Sequence, residues 1–103
     1  MSSRLEIIER MIAAGSGDSF HHYAHAIKLH SLGRCGDALV AFEDVRERFP
    51  DYVPTYLMAA QVAQELDREQ DARRWAEWGI ERAVAVGDAH SESELRAFAS
   101  LLG

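Results

Sequence analysis

Residues that break helices, shape hairpin turns or cross-link chains are scarce in this sequence. Its 103 residues include two prolines, one cysteine and no asparagine. Two-residue β-hairpin turns depend on Asn-Gly and similar pairs, and proline disrupts helix interiors, so this scarcity favours helices over hairpins. The single cysteine, Cys35, excludes a disulfide within the chain and fits a reducing compartment. We expect Cys35 to be a structural, unreactive thiol.

Long apolar runs and an excess of positive charge are also missing. Charged residues or histidine interrupt every apolar stretch well before the ~20 residues that span a membrane, and the first residues lack the apolar core of a signal peptide. The formal net charge is −6, from 17 acidic against 11 basic residues, whereas nucleic-acid binding relies on lysine and arginine. We therefore expect a cytoplasmic protein that has neither a nucleic acid nor a membrane as its partner.

The chain does contain the material for one folded domain. Hydrophobic residues make up 48% and charged residues 27% of a chain of 11.5 kDa, close to the averages of globular proteins. Alanine, the strongest helix former, is the commonest residue. A chain of this size allows a single domain with one core.

The most informative pattern is an internal repeat. A shift of 34 residues aligns Leu32 with Leu66 and Arg34 with Arg68. The same shift pairs Ala26 with Ala60, Asp37 with Asp71, Ala38 with Ala72, Glu43 with Glu77 and Arg48 with Arg82. Repeats of this length are stacked supersecondary units, and here they predict a helix–turn–helix that occurs twice, with a weaker half-copy upstream.

Apolar spacing and capping residues predict six helices in an all-α fold. The expected extents of the first five are about residues 3–14, 19–32, 37–49, 54–66 and 70–86. The last ends at Leu102 and is capped either by Asp88 or by the box Ser91-x-x-Glu94. Asp18 or Ser19 is expected to cap the second helix, Asp37 to open the third and Pro54 to occupy the first turn of the fourth. The connections are short, so neighbouring helices should be antiparallel.

These repeats resemble the tetratricopeptide repeat family. That repeat places Ala-x3-Phe on its second helix, followed by proline, and the first copy matches with Ala38, Phe42 and Pro50. The second copy departs from the pattern: Ala76 stands where an aromatic residue is expected, and Gly79 replaces the usual alanine. We expect its two tryptophans to restore the missing volume; they are Trp75 and Trp78.

The resemblance implies a superhelix of antiparallel helix–turn–helix repeats within one domain. It divides the chain into an N-terminal half-repeat helix (1–18), a first repeat (19–52), a second repeat (53–87) and a C-terminal capping helix (88–103).

The resemblance also implies a groove that binds a peptide or a partner protein, because the first helix of each repeat lines a concave face in that family. Carried onto this chain, the groove residues are Phe20, Tyr23, Ile27, His30, Ser31, Leu57, Gln61, Gln64 and Glu65. The family's carboxylate clamp of Lys, Arg and Asn is missing from this face. Alternatively, the last helix covers part of the groove through Leu95 and Phe98, as ordinary core.

A histidine cluster offers an alternative function, a small metal-binding protein that uses His21, His22 and His25. His21 and His25 lie one helical turn apart, the spacing at which two imidazoles can share a metal ion, and Asp18 is a conceivable third ligand. The competing interpretation places His22 and His25 at packing positions of the repeat and His21 on the surface. The residues alone leave both interpretations open.

Motifs for catalysis are absent, so we expect neither an enzyme nor a cofactor. Gly15-Ser16-Gly17 lacks the lysine of a phosphate-binding loop, and no Gly-x-Ser-x-Gly nucleophile elbow occurs. Cys35 has no histidine at an obvious orienting distance in the sequence.

The last predicted helix has apolar residues in several directions around its axis. They are Ala97, Phe98, Leu101 and Leu102. A solenoid with only two full repeats needs caps at both ends. We therefore expect a weak homodimer, or a docking surface, at the C-terminal helix.

Overall fold

A computed structural model describes residues 4, 6 and 18–102 of the chain. Five α-helices span this part: α1 (Ser19–Ser31), α2 (Cys35–Arg48), α3 (Pro54–Glu65), α4 (Glu69–Val86) and α5 (Ala89–Leu101). No strand occurs among the described residues, so the all-α prediction is confirmed. The first of the six predicted helices lies almost entirely outside them.

The helix ends follow the capping residues, with one exception. The Asp18 carboxylate accepts a 2.8 Å hydrogen bond from the Phe20 backbone N–H at the start of α1, and Pro54 occupies the first turn of α3. Asp37 does not open its helix: α2 begins two residues earlier, at Cys35, and Asp37 pairs from its first turn with Arg34 at 2.9 Å. A carboxylate in the first turn stabilises the helix dipole without occupying the cap position.

The start of α5 is held by Asp88. Its carboxylate accepts hydrogen bonds from the backbone N–H of Ser91 at 3.0 Å and from the Ser91 hydroxyl at 2.6 Å. These bonds favour the ionised form and hold the pKa of Asp88 below its usual value. The preceding residue, Gly87, ends α4 with a left-handed backbone (φ 75°) that suits glycine.

Two equivalent turns connect α1 to α2 and α3 to α4. We term the pair α1–α2 the first hairpin and the pair α3–α4 the second hairpin. In the first turn the Arg34 N–H donates to the Leu29 carbonyl at 3.0 Å, and in the second the Arg68 N–H donates to the Ala63 carbonyl at 2.9 Å. The central residue is left-handed in both, although it is Gly33 (φ 77°) in one and Asp67 (φ 57°) in the other. The repeat in the sequence is therefore a repeat of backbone geometry.

The core lies between successive helices. Each hairpin packs its two helices together, α3 also packs on α2, and α5 packs on α4 and α3. Ala26 and Ala60 are fully buried, as expected of small residues where two helices cross closely. The largest buried side chains are Phe42, Tyr56, Trp75 and Leu95.

The second hairpin has an unusually close contact between α3 and α4. A Cβ atom at Gly79 would lie 2.5 Å from the Tyr56 Cβ and 2.8 Å from the Leu95 Cδ1. Glycine in place of the family's usual alanine thus fits the close approach of α3 and α4, because the nearest atom is a Cβ, which every residue except glycine would carry at position 56. Trp75 is buried beside it, and its ring meets Trp78 edge-on at 5.4 Å.

The last helix belongs to the core along one side only. Leu95 and Leu102 are buried and Phe98 is half-buried against the core, whereas Leu101 is 82% exposed. The expectation that Leu102 adds to the exposed apolar area is wrong, because the chain turns it inward after α5 ends. None of the described helices has the length and apolarity needed to cross a membrane.

Candidate protein-binding face

One side of α1 forms the wall of an open cleft of ≈ 370 Å³. Phe20, Tyr23 and Ile27 line it, as expected for residues three and four positions apart on one helix face. Lys28 and Arg4 border the same cleft, so two cationic groups stand beside its apolar wall.

Tyr23 joins this cleft to a second one of ≈ 230 Å³ that lies between α1, α3 and α5. The second cleft is lined by Tyr23, Val53, Pro54, Leu57, Met58, Ser91, Glu94 and Leu95. The Tyr23 ring contacts the rings of Phe42 at 6.1 Å and Tyr52 at 5.3 Å, which fixes its position. Burial, and to a lesser degree Tyr52, raise the pKa of Tyr23, so its phenol stays neutral and able to hydrogen-bond.

The last helix borders the second cleft but does not close it. Leu95 is core, packed near Tyr56 and Gly79, and Phe98 lies against the core. Tyr23, Ile27 and Leu57 nevertheless remain only half-buried. The face carried by α1 and α3 therefore keeps an apolar strip that is accessible from outside.

Comparison with known proteins identifies this architecture. No family model and no curated protein matches the chain. A solution NMR structure of a tetratricopeptide repeat domain protein from Salinibacter ruber is 35% identical, with a TM-score of 0.76 over 80% of this chain and 83% of that one. The chain belongs to the tetratricopeptide repeat family.

One further structure agrees with this assignment, and another shares the fold. A crystal structure of the tetratricopeptide repeat domain protein from Salinibacter ruber, also 35% identical, has a TM-score of 0.73 and covers 80% of this chain and 91% of that one. A protein from Bordetella parapertussis shares 22% identity and the fold, with a TM-score of 0.84 over 99% of this chain and 89% of that one. The family resemblance found in the sequence is confirmed, whereas the exact repeat boundaries stay a prediction.

The predicted groove residues of this tetratricopeptide repeat protein fall into three places. Phe20, Tyr23, Ile27 and Ser31 line the first cleft, and Leu57 shares the second with Tyr23. Gln61 and Gln64 are exposed on α3 and border neither cleft. The pair His30 and Glu65 meets at the far end of the face, where Nε2 of the histidine lies 2.7 Å from Oε2 of the carboxylate.

Some residues of this face were missed by sequence reasoning. Lys28 lies four residues after Ala24 and three before Ser31, which both line the first cleft, so helical spacing could have placed it there. Cys35 lies beside Glu65, with Sγ 3.8 Å from Oε2, although the sequence suggested only a turn cysteine. This contact joins the start of α2 to the end of α3, in different hairpins, and the repeat period gives no signal for it.

The histidine cluster on α1 has a packing role at one position. His22 is 6% exposed, its ring lies 5.4 Å from that of Phe49, and its Nδ1 is 3.6 Å from an Asp44 oxygen. The His21 ring contacts Phe20, and the Asp18 carboxylate caps the helix. In the described part of the chain, the three side chains whose metal-ligating atoms lie within 4.8 Å of one another are not those of His21, His22 and His25. They are His30, Cys35 and Glu65.

Proposed function

We propose that this tetratricopeptide repeat protein binds an extended segment of a partner protein along the face of α1 and α3 and catalyses no reaction. The observation that carries the proposal is the apolar strip of Tyr23, Ile27 and Leu57, half-buried along two clefts that share Tyr23. Repeat proteins use their concave surfaces for binding, and accessible apolar strips with polar rims are typical of such sites. The lone cysteine supports a cytoplasmic role.

The composition of the face favours a partner segment of particular chemistry. The first cleft combines the apolar Phe20, Tyr23 and Ile27 with the cationic Arg4 and Lys28. A bound segment with a large apolar side chain next to a carboxylate would use both features. The exposed glutamines of α3 offer both donors and acceptors to the backbone of an extended peptide.

Peptide selection followed by matched variants tests this proposal. Phe20 on α1 and Val84 on α4 are each 55% exposed, so they differ in location and not in accessibility. Peptides selected from a random library on the immobilised chain would be titrated against Phe20→Glu and Val84→Glu by calorimetry. Because a charge replaces an apolar contact, we expect Phe20→Glu to weaken binding by about tenfold or more, near 1.4 kcal/mol, and Val84→Glu to leave it unchanged.

Two outcomes would contradict the proposal. One is a library that yields no sequence-specific binder to the folded chain. The other is a set of binders whose affinity falls with Val84→Glu and not with Phe20→Glu, which would place the site on the second helices. Circular dichroism of both variants verifies that the helical fold is retained.

We also propose that α5 mediates weak self-association. The observation that supports it is the 82% exposed Leu101, beside the exposed Ala97 on the same helix. Stable small dimers bury about 1,200–2,000 Å² in total, of which one helix from each subunit supplies only a part, so the association should be weak. Sedimentation at several concentrations should show dimers that Leu101→Glu abolishes; a strict monomer at high micromolar concentration would refute this.

A further inference from the structure

The ends of three helices bring three different metal-ligating side chains together. His30 lies in the last turn of α1, Cys35 is the first residue of α2 and Glu65 is the last residue of α3. One ligand atom from each lies within 4.8 Å of the other two. Within the group, His30 Nε2 is 2.7 Å and Cys35 Sγ is 3.8 Å from Glu65 Oε2.

We propose that His30, Cys35 and Glu65 bind one Zn²⁺ ion. Imidazole nitrogen, thiolate sulfur and carboxylate oxygen are the donor types that zinc uses in proteins, whereas Mg²⁺ and Ca²⁺ require oxygen ligands. Three protein ligands leave the fourth tetrahedral position to a water molecule. The thiolate and the carboxylate together supply two negative charges, which balance the charge of the ion.

The distances are close to those that the ion requires. Zinc lies about 2.0–2.3 Å from nitrogen, oxygen and sulfur ligands, so two ligands of a tetrahedral ion stand about 3.3–3.8 Å apart. The Cys35–Glu65 separation of 3.8 Å already matches this spacing. The hydrogen-bonded His30 and Glu65 atoms, at 2.7 Å, have to separate by less than about 1 Å, a small rotation of exposed side-chain torsions.

Proton balance follows from the same geometry. In the metal-free protein, the His30 Nε2–H donates to the carboxylate of Glu65, which can only accept. Zinc takes the lone pairs of Nε2 and of the thiolate. The thiol proton is released to the solvent, and the proton of a neutral His30 ring moves from Nε2 to Nδ1. In the metal-free protein, His30 and the Cys35 thiol both hydrogen-bond to Glu65 Oε2, so the same three side chains that the zinc site uses are already held together.

The site is accessible to an ion and joins rigid elements. The His30 side chain is 27% exposed and that of Glu65 is 52% exposed, while Cys35 is half-buried. Because the ligands come from three helices, the bound ion links the first hairpin to the second at the end of the binding face. A ligand that binds only the folded chain raises its melting temperature, so zinc should stabilise this protein.

Zinc titration of the full chain tests the proposal without any peptide present. The chain, first freed of metal by a chelator, is titrated with zinc chloride in competition with a chromophoric chelator. We expect one equivalent per chain, and an affinity that falls by at least about 10–100-fold in His30→Ala, Cys35→Ser and Glu65→Gln, because each variant removes a ligand. His21→Ala, on the same helix, is the matched control and should leave the affinity unchanged.

The outcomes that would overturn the proposal are distinct. One is the absence of zinc binding at micromolar concentration, and another is binding that survives Cys35→Ser. Binding that is lost in His21→Ala would place the ion at the other histidine cluster. If Cys35→Ser unfolds the chain, cobalt(II) added to the wild-type protein decides, since a missing thiolate-to-cobalt charge-transfer absorption refutes a cysteine ligand. None of these results depends on peptide binding.

Discussion

The two hairpins share one repeat pattern but carry their large buried side chains at different positions. In the first hairpin, the second helix supplies the large groups, since Phe42 and Val45 on α2 are fully buried. At the equivalent positions of α4 stand the small Ala76 and Gly79, also buried. The volume there comes instead from Tyr56 of the facing helix α3, which is buried where it meets Gly79, and from Trp75 of α4 itself.

This exchange shows what the repeat requires. Protein interiors are packed to a nearly constant density, so a small side chain at one position has to be compensated by a larger one at a neighbouring position. Here the compensation comes from Tyr56 and from Trp75, whose rings contact each other at 6.1 Å. The repeat pattern specifies that large and small residues meet between the helices, but it does not specify which helix carries which.

Truncation of the large residue of the first hairpin should have the largest effect. Phe42→Ala removes a fully buried ring and leaves a cavity, so we expect a loss of about 3–5 kcal/mol in the free energy of unfolding, measured with denaturant. Phe20→Ala, which truncates an exposed ring of the same type, should cost less than about 1 kcal/mol. A loss below about 1 kcal/mol for Phe42→Ala would mean that the assigned packing is wrong.

Enlarging the small residue of the second hairpin should have an intermediate effect. The new Cβ in Gly79→Ala meets the Tyr56 Cβ, which is fixed to its backbone, and overpacking of this kind costs about 1–3 kcal/mol. Gly36→Ala, on α2, is the control because nothing lies within 4 Å of its added Cβ. There the higher helix propensity of alanine should stabilise the protein by up to about 1 kcal/mol. Equal effects at both sites would show that the close contact of α3 and α4 is absent.

The two turns provide the smallest and most specific comparison. Gly33→Ala forces a Cβ into a left-handed backbone, so we expect a loss of about 1 kcal/mol. At Asp67 that strain is already present, and Asp67→Ala should cost less than half as much as Gly33→Ala. Thermal unfolding of the two variants, followed by circular dichroism, measures the difference. A larger loss for Asp67→Ala would contradict the equivalence of the turns.

Local features of the fold could be predicted from the sequence, because local spacing determines them. The repeat period placed the turns at Gly33 and Asp67, and the apolar stripe placed Phe42 in the core. The need for glycine at position 79 could not be read from the spacing, since it depends on how closely α3 and α4 approach.

The candidate site also contains residues that could be predicted from the sequence and residues that could not. Tyr23 and Leu57 could be placed on one face from the family's repeat. The meeting of Cys35 with Glu65 could not, because it joins helix ends of different hairpins and depends on how the repeats stack.

The central claim, that a partner segment binds along α1 and α3, is tested most directly by NMR. A selected peptide titrated into the isotopically labelled chain should shift the backbone amides of these two helices, with the largest changes around Tyr23 and Leu57, at the two clefts. Shifts that concentrate around the exposed Val40 of α2 and Val84 of α4, with α1 and α3 unaffected, would contradict it.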